Sequence, residues 1–446
     1  MPVTADKICD EWGDGKVTMR LPIGFSAKLP MSRLHSRTAE MTDRLRLFLL
    51  LPVSVLPLAG LFLALGDSLG RWSWPFASVW VQVGTVLLEQ FPLLAAIAIA
   101  AGLAAEKPVL AAFSAAAAYL AVNRTGITVV EWLAAGKNWQ ISFNFGLLTS
   151  LAVGFLAAGI CQIGSRRTIT GWRRFLMNPY LAPALSVLIA LVIGFIGGFV
   201  WYGLQTLLLR LAGWIPDGGA GGLFIYGFLN RLLMPLGLHR GMNQTLWFQY
   251  GQYTTQNGLL VEGDLARFLA GDPTAGRITA GFFPVMLMVI PAVAASIWSA
   301  GRKEKKNRLY LFLAAAAMAS LWGGITEPVE YLILLISPVL YVFYSLLCGL
   351  SMLLCAQLRI LQGFSFSAGL NDYLYNWTQA TRPGWILVVG LVLAVLAFVI
   401  FYFFIRRFHC SVPDFPGIPG LFELSADSEK TAPVAAEPED QAGHDS

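Results

Sequence analysis

Charge is what this sequence has least of. Of 446 residues, 31 are Lys or Arg and 26 are Asp or Glu, 13% in all, against about 25% in an ordinary soluble domain. Apolar residues make up 56%, and stretches near the ~20 residues needed to cross a bilayer recur along the chain. They are not confined to the N-terminus, and the first 45 residues are polar, without the apolar core of a secretory signal. Scarce charge thus excludes a soluble domain, and the placement of the apolar runs excludes a secreted protein behind a cleaved leader. The formal net charge of +5 comes from short basic clusters beside apolar segments. That pattern fits anchoring at a cytoplasmic face rather than nucleic-acid binding.

Cysteine and histidine are scarce too. The five cysteines (Cys9, Cys161, Cys348, Cys355, Cys410) show no CxxC or CxxxC spacing. Cys348 and Cys355, seven apart in an apolar stretch, read as small buried side chains rather than a disulfide or a metal site. No HExxH or Walker A sequence occurs. This argues against a soluble-type catalytic site and against ATP-driven transport within this chain, and it implies no cofactor and no metal.

What the chain does have is hydrophobic spans, expected near 46–67, 76–104, 108–123, 143–163, 180–213, 221–239, 278–300, 309–325, 328–357 and 384–408. Basic residues should flank the cytoplasmic ends. Arg33, Arg37, Arg44 and Arg46 place the N-terminus inside. Five crossings later the sequence exits near Trp214, having left Arg166, Arg167, Arg173 and Arg174 inside as required. Simple alternation then fails. The basic run Arg302–Arg308 comes out on the wrong side if 221–239 and 278–300 are both plain spans. Either 221–239 is re-entrant or the amphipathic stretch 240–260 adds a crossing. Arg406 and Arg407 raise the same conflict for the region between 309 and 380.

Both conflicts fall on polar, Gly- and Pro-punctuated sequence, at 230–243 and 323–330. Non-helical backbone at membrane depth survives only when buried in protein or lining an aqueous cavity, and broken helices are how transporters build midplane sites. Arg231, His239, Arg240, Glu327 and Glu330 lie in or beside these segments. A charge at the bilayer centre costs about 3 kcal/mol on insertion scales, so such residues face partners or a polar pathway. For Arg240, snorkelling to an interface stays open beside a place in the cavity. His239, between Gly237 and Gly241 and followed by Asn243, is read as a substrate contact, because imidazole, guanidinium and carboxylate together can bond vicinal hydroxyls. Glu89, before Pro92, fits the mouth of a cavity or a helix kink, and the structural role is favoured. Trp247, Phe248 and Tyr250 could stack on a sugar ring or form an interfacial belt.

At these segments the sequence resembles the glucose superfamily of phosphotransferase enzyme IIC components. Gly227-Phe-Leu-Asn-Arg-Leu-Leu-Met-Pro-Leu-Gly-Leu-His239 is similar to that family's GFLNRLLxPxGLHH signature, and Gly324-Ile-Thr-Glu-Pro-Val-Glu330 to its G[IV]TEP[IL]E signature. Gly281-Phe-Phe-Pro-Val-Met and Gly363-Phe-Ser-Phe-Ser-Ala-Gly369 follow in order. The resemblance is strong over 220–408 and looser over 46–105. It departs at Arg240, where the family has a second histidine, and at Ser165–Arg174, which replaces a Gly-Gly-Lys-Arg-Phe-Val-Pro-like stretch.

The resemblance implies an all-α integral membrane protein of the bacterial cytoplasmic membrane, with about ten transmembrane helices plus re-entrant hairpins and both termini cytoplasmic. The expected parts are a polar segment 1–45, a probable dimerisation half 46–213, a transport half 214–408 and a disordered tail 409–446. It implies sugar contacts at Arg231, His239, Thr326 and Glu327, with Glu330 in support and Asn243 beside them. It also implies a homodimer served by a separate cytosolic enzyme IIB, whose phosphocysteine phosphorylates the sugar, and by upstream phosphotransferase proteins. No CxTRLR-like phosphocysteine motif occurs here. Asn243–Gly251 and Gly263–Gly276 look most like N-acetylglucosamine-type members, with glucose or glucosamine as alternatives. The competing reading is a facilitator or proton-coupled transporter on the same scaffold.

Overall fold

The computed structural model describes residues 31–104, 106–135, 146–164, 178–301, 306–408, 410 and 412. Four arginines of the sidedness argument (Arg166, Arg167, Arg173 and Arg174), the start of the Arg302–Arg308 run, residues 1–30 and nearly all of the tail lie outside them. In hydrocarbon a backbone amide has no water to bond, so apolar sequence satisfies it within its own helix. The N-terminal helices are α1 (Met31–Arg71), α2 (Ala77–Glu89), α3 (Phe91–Leu103), α4 (Pro108–Ala134), α5 (Leu147–Gly164) and α6 (Ala182–Trp214). Next come α7 (Gly219–Leu232), α8 (His239–Phe248), a hairpin of β1 (Gln252–Thr254) and β2 (Leu260–Glu262), and the short α9 (Asp264–Leu269). The chain continues through α10 (Phe282–Ala300), α11 (Lys306–Gly323), α12 (Glu327–Ile336), α13 (Pro338–Gln357), α14 (Leu370–Tyr375) and α15 (Gly384–Arg407).

Among the described residues five helices are long and apolar enough to cross a membrane: α1, α6, α10, α13 and α15. The pair α2–α3 makes a sixth, bent by 45° at Gln90. Three of the expected spans are therefore broken. Pro92 sits in the first turn of α3, where a residue lacking an N–H is tolerated and pre-set for a helix start. Ser337 is extended (φ −161°, ψ 121°) ahead of Pro338, the conformation that a following proline favours, and it parts α12 from α13. The third break is 221–239. At 1.5 Å per residue, α7 is ~21 Å long and α8 ~15 Å, so neither spans the ~30 Å hydrocarbon core. They form a broken pair joined by a tight turn at Met234–Leu236. The span expected at 108–123 runs on to Ala134.

The N-terminal helices pack through small residues, Ala96, Ala100, Ala115, Ala118 and Ala157 among them. Such side chains let backbones approach where lipid offers no hydrophobic drive. A Cβ on Gly194 of α6 would meet the Val122 carbonyl of α4 at 2.7 Å. The second half has a bulkier, aromatic core, with Phe282, Phe283, Tyr341, Tyr344 and Phe364 buried in it. A π-helical turn at Val285–Val289 interrupts α10, and Ser320 of α11 donates to its Met286 carbonyl at 2.8 Å.

Basic ends gather on one face. The charge of Arg46, at the start of the apolar part of α1, reaches the Cys410 thiol just past α15, which ends in Arg406 and Arg407. At the opposite end of α1, Arg71 binds Asp67 at 3.1 Å and Asp372 of α14 at 3.0 Å. Asp372 also accepts the backbone N–H groups of Ser365, Phe366 and Ser367. Nearby, Asp264 accepts from Gly276 N–H, Ile278 N–H and the Thr279 hydroxyl. The Gln362 N–H donates to the Gly276 carbonyl at 3.0 Å, so these loops form one cap over this end.

Candidate functional site

Two half-helices begin at the same place. α8 starts at His239 and α12 at Glu327, each after a glycine that the turn requires in the left-handed region, Gly237 (φ 76°) and Gly324 (φ 70°). A Cβ on Gly324 would sit 2.5 Å from the Ser367 hydroxyl. His239 and Glu327 both line a cavity of about 90 Å³, with Glu89, Arg240, Tyr331 and Leu56. Leu56 lies 11 residues into the apolar part of α1, ~16 Å along its axis, close to half the hydrocarbon thickness. Two helix N-termini thus aim their unbonded N–H groups and positive dipole ends at a mid-membrane point. That geometry suits oxygen-rich ligands.

Behind the cavity lies a buried ion pair. Arg231, near the end of α7, reaches Glu330 of α12 at 3.0 Å and the Thr326 hydroxyl at 3.2 Å. Their side chains are 7% and 0% exposed. Tyr344 of α13 donates to the same Glu330 oxygen, and Tyr341 donates to the Arg231 carbonyl. The Arg231 guanidinium also stands over the Phe282 ring, 5.2 Å from its centroid. The two broken helices are therefore tied together at their membrane-buried ends by charge. Three buried polar atoms here have no hydrogen-bond partner: Arg231 Nε, Glu330 Oε2 and His239 Nδ1. An unmet buried group costs about 1–3 kcal/mol, so such atoms mark places where a ligand or water completes the network.

The residues expected at the site sort into three positions. His239 and Glu327 line the cavity. Arg231, Thr326 and Glu330 form the support behind it. Asn243 is engaged elsewhere: its Oδ1 accepts from the Tyr226 hydroxyl and from Asn230 Nδ2, and Trp247 Nε1 donates to Tyr226 at 2.9 Å. The Trp247 ring packs edge-on to Phe282 and Phe364 and does not line the cavity. Phe248 is exposed, and Tyr250 is packed against the large core.

Sequence reasoning missed one lining residue and ranked another second. Glu89, weighed between a cavity mouth and a kink, is at both: it ends α2 at the break and borders the cavity. Tyr331 follows Glu327 by four residues and so shares its helix face, a signal that was there to be used. Its ring lies 4.4 Å from that of Phe91 at the start of α3. Arg240, open between interface and cavity, is exposed and borders the cavity. Among the described residues no group of three His, Cys, Asp or Glu could hold a metal ion. Cys161, Cys348 and Cys355 are buried and form no disulfide.

The family model described as "Phosphotransferase system, EIIC" matches residues 47–349. A protein named as the N-acetylglucosamine-specific EIIC component of Streptomyces coelicolor is 35% identical over 374 residues, covering 81% of this chain and 89% of that one. The N-acetylglucosamine-specific EIICB component of Bacillus subtilis is 34% identical, over 82% of this chain and 76% of its own length. The corresponding EIICBA component of Escherichia coli is 33% identical over 83% of this chain, which spans 56% of that longer protein. The broken helices carrying the two motifs lie within the matched span, and the chain belongs to the EIIC family of the phosphotransferase system.

Proposed function

We propose that this chain carries a hexose of the N-acetylglucosamine type across the bacterial cytoplasmic membrane and presents it to a B component for phosphorylation. The observation that carries the reading is the meeting of two half-helix N-termini, His239 and Glu327, at one mid-membrane cavity backed by unpartnered polar atoms. A sugar hydroxyl both donates and accepts, which matches an acceptor carboxylate, a donor guanidinium and an imidazole that can do either. Relatives named for N-acetylglucosamine supply the choice of sugar, and the Streptomyces coelicolor relative, 89% covered, is named as an EIIC component alone. That supports a phosphoryl donor on a separate chain.

In the transfer, the sugar hydroxyl oxygen bonds to phosphorus as the phosphorus–sulfur bond of the donor phosphocysteine breaks, leaving the electron pair on sulfur. The hydroxyl proton passes to a base, and of the two cavity carboxylates, Glu89 and Glu327, we assign that role to Glu327 at the start of α12. The chain's part is binding and orientation. As it stands the cavity holds about 90 Å³, well below the ~300 Å³ at the lower end of small-molecule sites. Sugar binding therefore requires the walls contributed by α1–α3 and by α12 to move apart.

The reading extends to architecture: about ten spans, counting broken and short ones, both termini cytoplasmic, and a homodimer formed through the first half. The gathering of Arg46, Arg406 and Arg407 on one face supports the sidedness. The low burial of α6, 28% of its apolar window against 67% for α10, leaves a face for a second copy or for lipid.

The test is uptake by membrane vesicles. Sugar phosphate should accumulate only with both the B protein and phosphoenolpyruvate present. Unmodified sugar gathered on a proton gradient alone would overturn the proposal in favour of a proton-coupled transporter. Glu327→Gln and His239→Ala should each weaken N-acetylglucosamine binding at least tenfold while the protein still inserts. Unchanged affinity in both would remove the site assignment. Glucose and glucosamine as competitors set the choice of sugar.

A further inference from the structure

A cavity larger than the one at the motifs lies elsewhere along α1. About 520 Å³ of space opens at the far end of α1, among Asp67, Arg71, Ser78, Gln82, Phe366 and Tyr375. Arg71 lies 15 residues beyond Leu56, ~22 Å further along the helix. Its volume falls within the ~300–1,000 Å³ typical of small-molecule sites.

The two cavities lie along one seam. α1 and α2 line both: Leu56, Leu88 and Glu89 the inner one, Gly66, Ser78 and Gln82 the outer. Between them stands a separate apolar cluster of Leu63, Ala319 and Ile325, packed with Val81, Leu88 and Phe366. Val81 and Phe366 are also walls of the outer cavity, and Leu88 is a wall of the inner one. This cluster is therefore the partition between them. Ile325 directly precedes Thr326 and Glu327, so displacing the α12 start from α1 moves the partition and the inner site together.

The chemistry of the outer cavity narrows its ligand. Arg71 is already shared by Asp67 and Asp372 and lies 4.7 Å from the centre of the Tyr375 ring. No positive charge is left over to hold an anionic ligand. Ser78 and Gln82 are exposed and bonded to no other described residue, so a hydroxyl and an amide remain free, with the rings of Phe366 and Tyr375 as apolar surfaces. Free uncharged donors and acceptors beside aromatic rings suit a neutral polyhydroxylated ligand. The cavity also lies at the face opposite Arg46, Arg406 and Arg407, where exposed Trp72, Trp74, Trp377 and Trp385 form an interfacial aromatic belt.

We propose that this cavity is a second binding site for a neutral hexose, an entry site on the outer face, in series with the mid-membrane site and separated from it by the Leu63–Ile325–Phe366 partition. The proposal rests on the reading of the chain as a sugar transporter. The test uses full-length Gly70→Cys, a lining position with room for a side chain, in intact cells, labelled with a membrane-impermeant maleimide, with N-acetylglucosamine as the probe and the wild-type chain as background. Labelling should occur from outside and be slowed at least threefold by saturating sugar. The slowing should persist when Glu327→Gln is added, because the outer site does not use that carboxylate. Gln82→Leu should raise the sugar concentration for half-protection at least fivefold. Absent labelling, labelling indifferent to the sugar, protection lost with Glu327→Gln, or protection untouched by Gln82→Leu would each overturn the entry site. Uptake that depends on the B protein would survive any of those results, so the two proposals fail separately.

Discussion

Two charged clusters join parts of this molecule, and they differ in depth. At mid-membrane Arg231 and Glu330, 7% and 0% exposed, tie the tips of the two broken helices. At the capped end Arg71, 20% exposed, ties α1 to Asp372 of α14. A pair in hydrocarbon has no water to fall back on, so removing one partner leaves a charge stranded. A pair at the membrane edge can trade its partner for water. The inner pair therefore acts as a fixed strut and the outer one as a contact that can open. Their places differ too: the first lies within the second half of the molecule, and the second joins α1 to α14.

The largest effect should come from the strut. Arg231→Met should cost about 3–5 kcal/mol, read as a collapse in monodisperse yield and melting temperature in detergent. Arg231→Met combined with Glu330→Leu should recover much of that loss, since no charge is then stranded. A double variant as unstable as the single would break the comparison at its strongest point.

Asp264 sharpens it from another side, being a buried carboxylate held by neutral donors rather than by a salt bridge. Burial pushes it up to about 6, against the hydrogen bonds from Gly276, Ile278 and Thr279. Its folded value lies above the ordinary ~3.9, so its contribution is full below that value and is lost as pH rises through about 6. The cap over 250–279 should resist proteolysis better at pH 5 than at pH 7.5, and Asp264→Asn should abolish the difference.

Asp372→Ala removes an acceptor serving three backbone N–H groups as well as Arg71, at a cost of about 2 kcal/mol, with hydrogen exchange in 365–377 rising first. Arg71→Ala should be the mildest, ~1 kcal/mol or less and screened by salt. A larger, salt-independent loss would mean that the outer contact is as fixed as the inner one.

Much of the site was legible because its residues break a rule. His239, Glu327, Arg231 and Glu330 are costly in apolar sequence, and they fall where the alternation of sides fails. Glu89 broke the same rule but had an innocent explanation in Pro92, and only the bend at Gln90 turned it toward the cavity. Asn243 shows the opposite case. Its proximity to His239 in sequence suggested sugar contact, while its carbonyl oxygen is taken by Tyr226 and Asn230. A side chain's partners 13 and 17 residues away depend on helix rotation, which no local pattern reports.

Composition and motif order by themselves determined that the chain lives in a bilayer, that two of its segments are irregular and to which family it belongs. These follow from local costs: burying charge in hydrocarbon, and leaving a backbone amide without a partner. Only the tertiary structure decided which polar residues face the cavity and which stand behind it. It alone set where the apolar partition falls and that a larger cavity lies along the same seam. Those outcomes depend on how separate helices rotate and meet, as when Leu63, Ile325 and Phe366, some 260 to 300 residues apart at the extremes, close one passage.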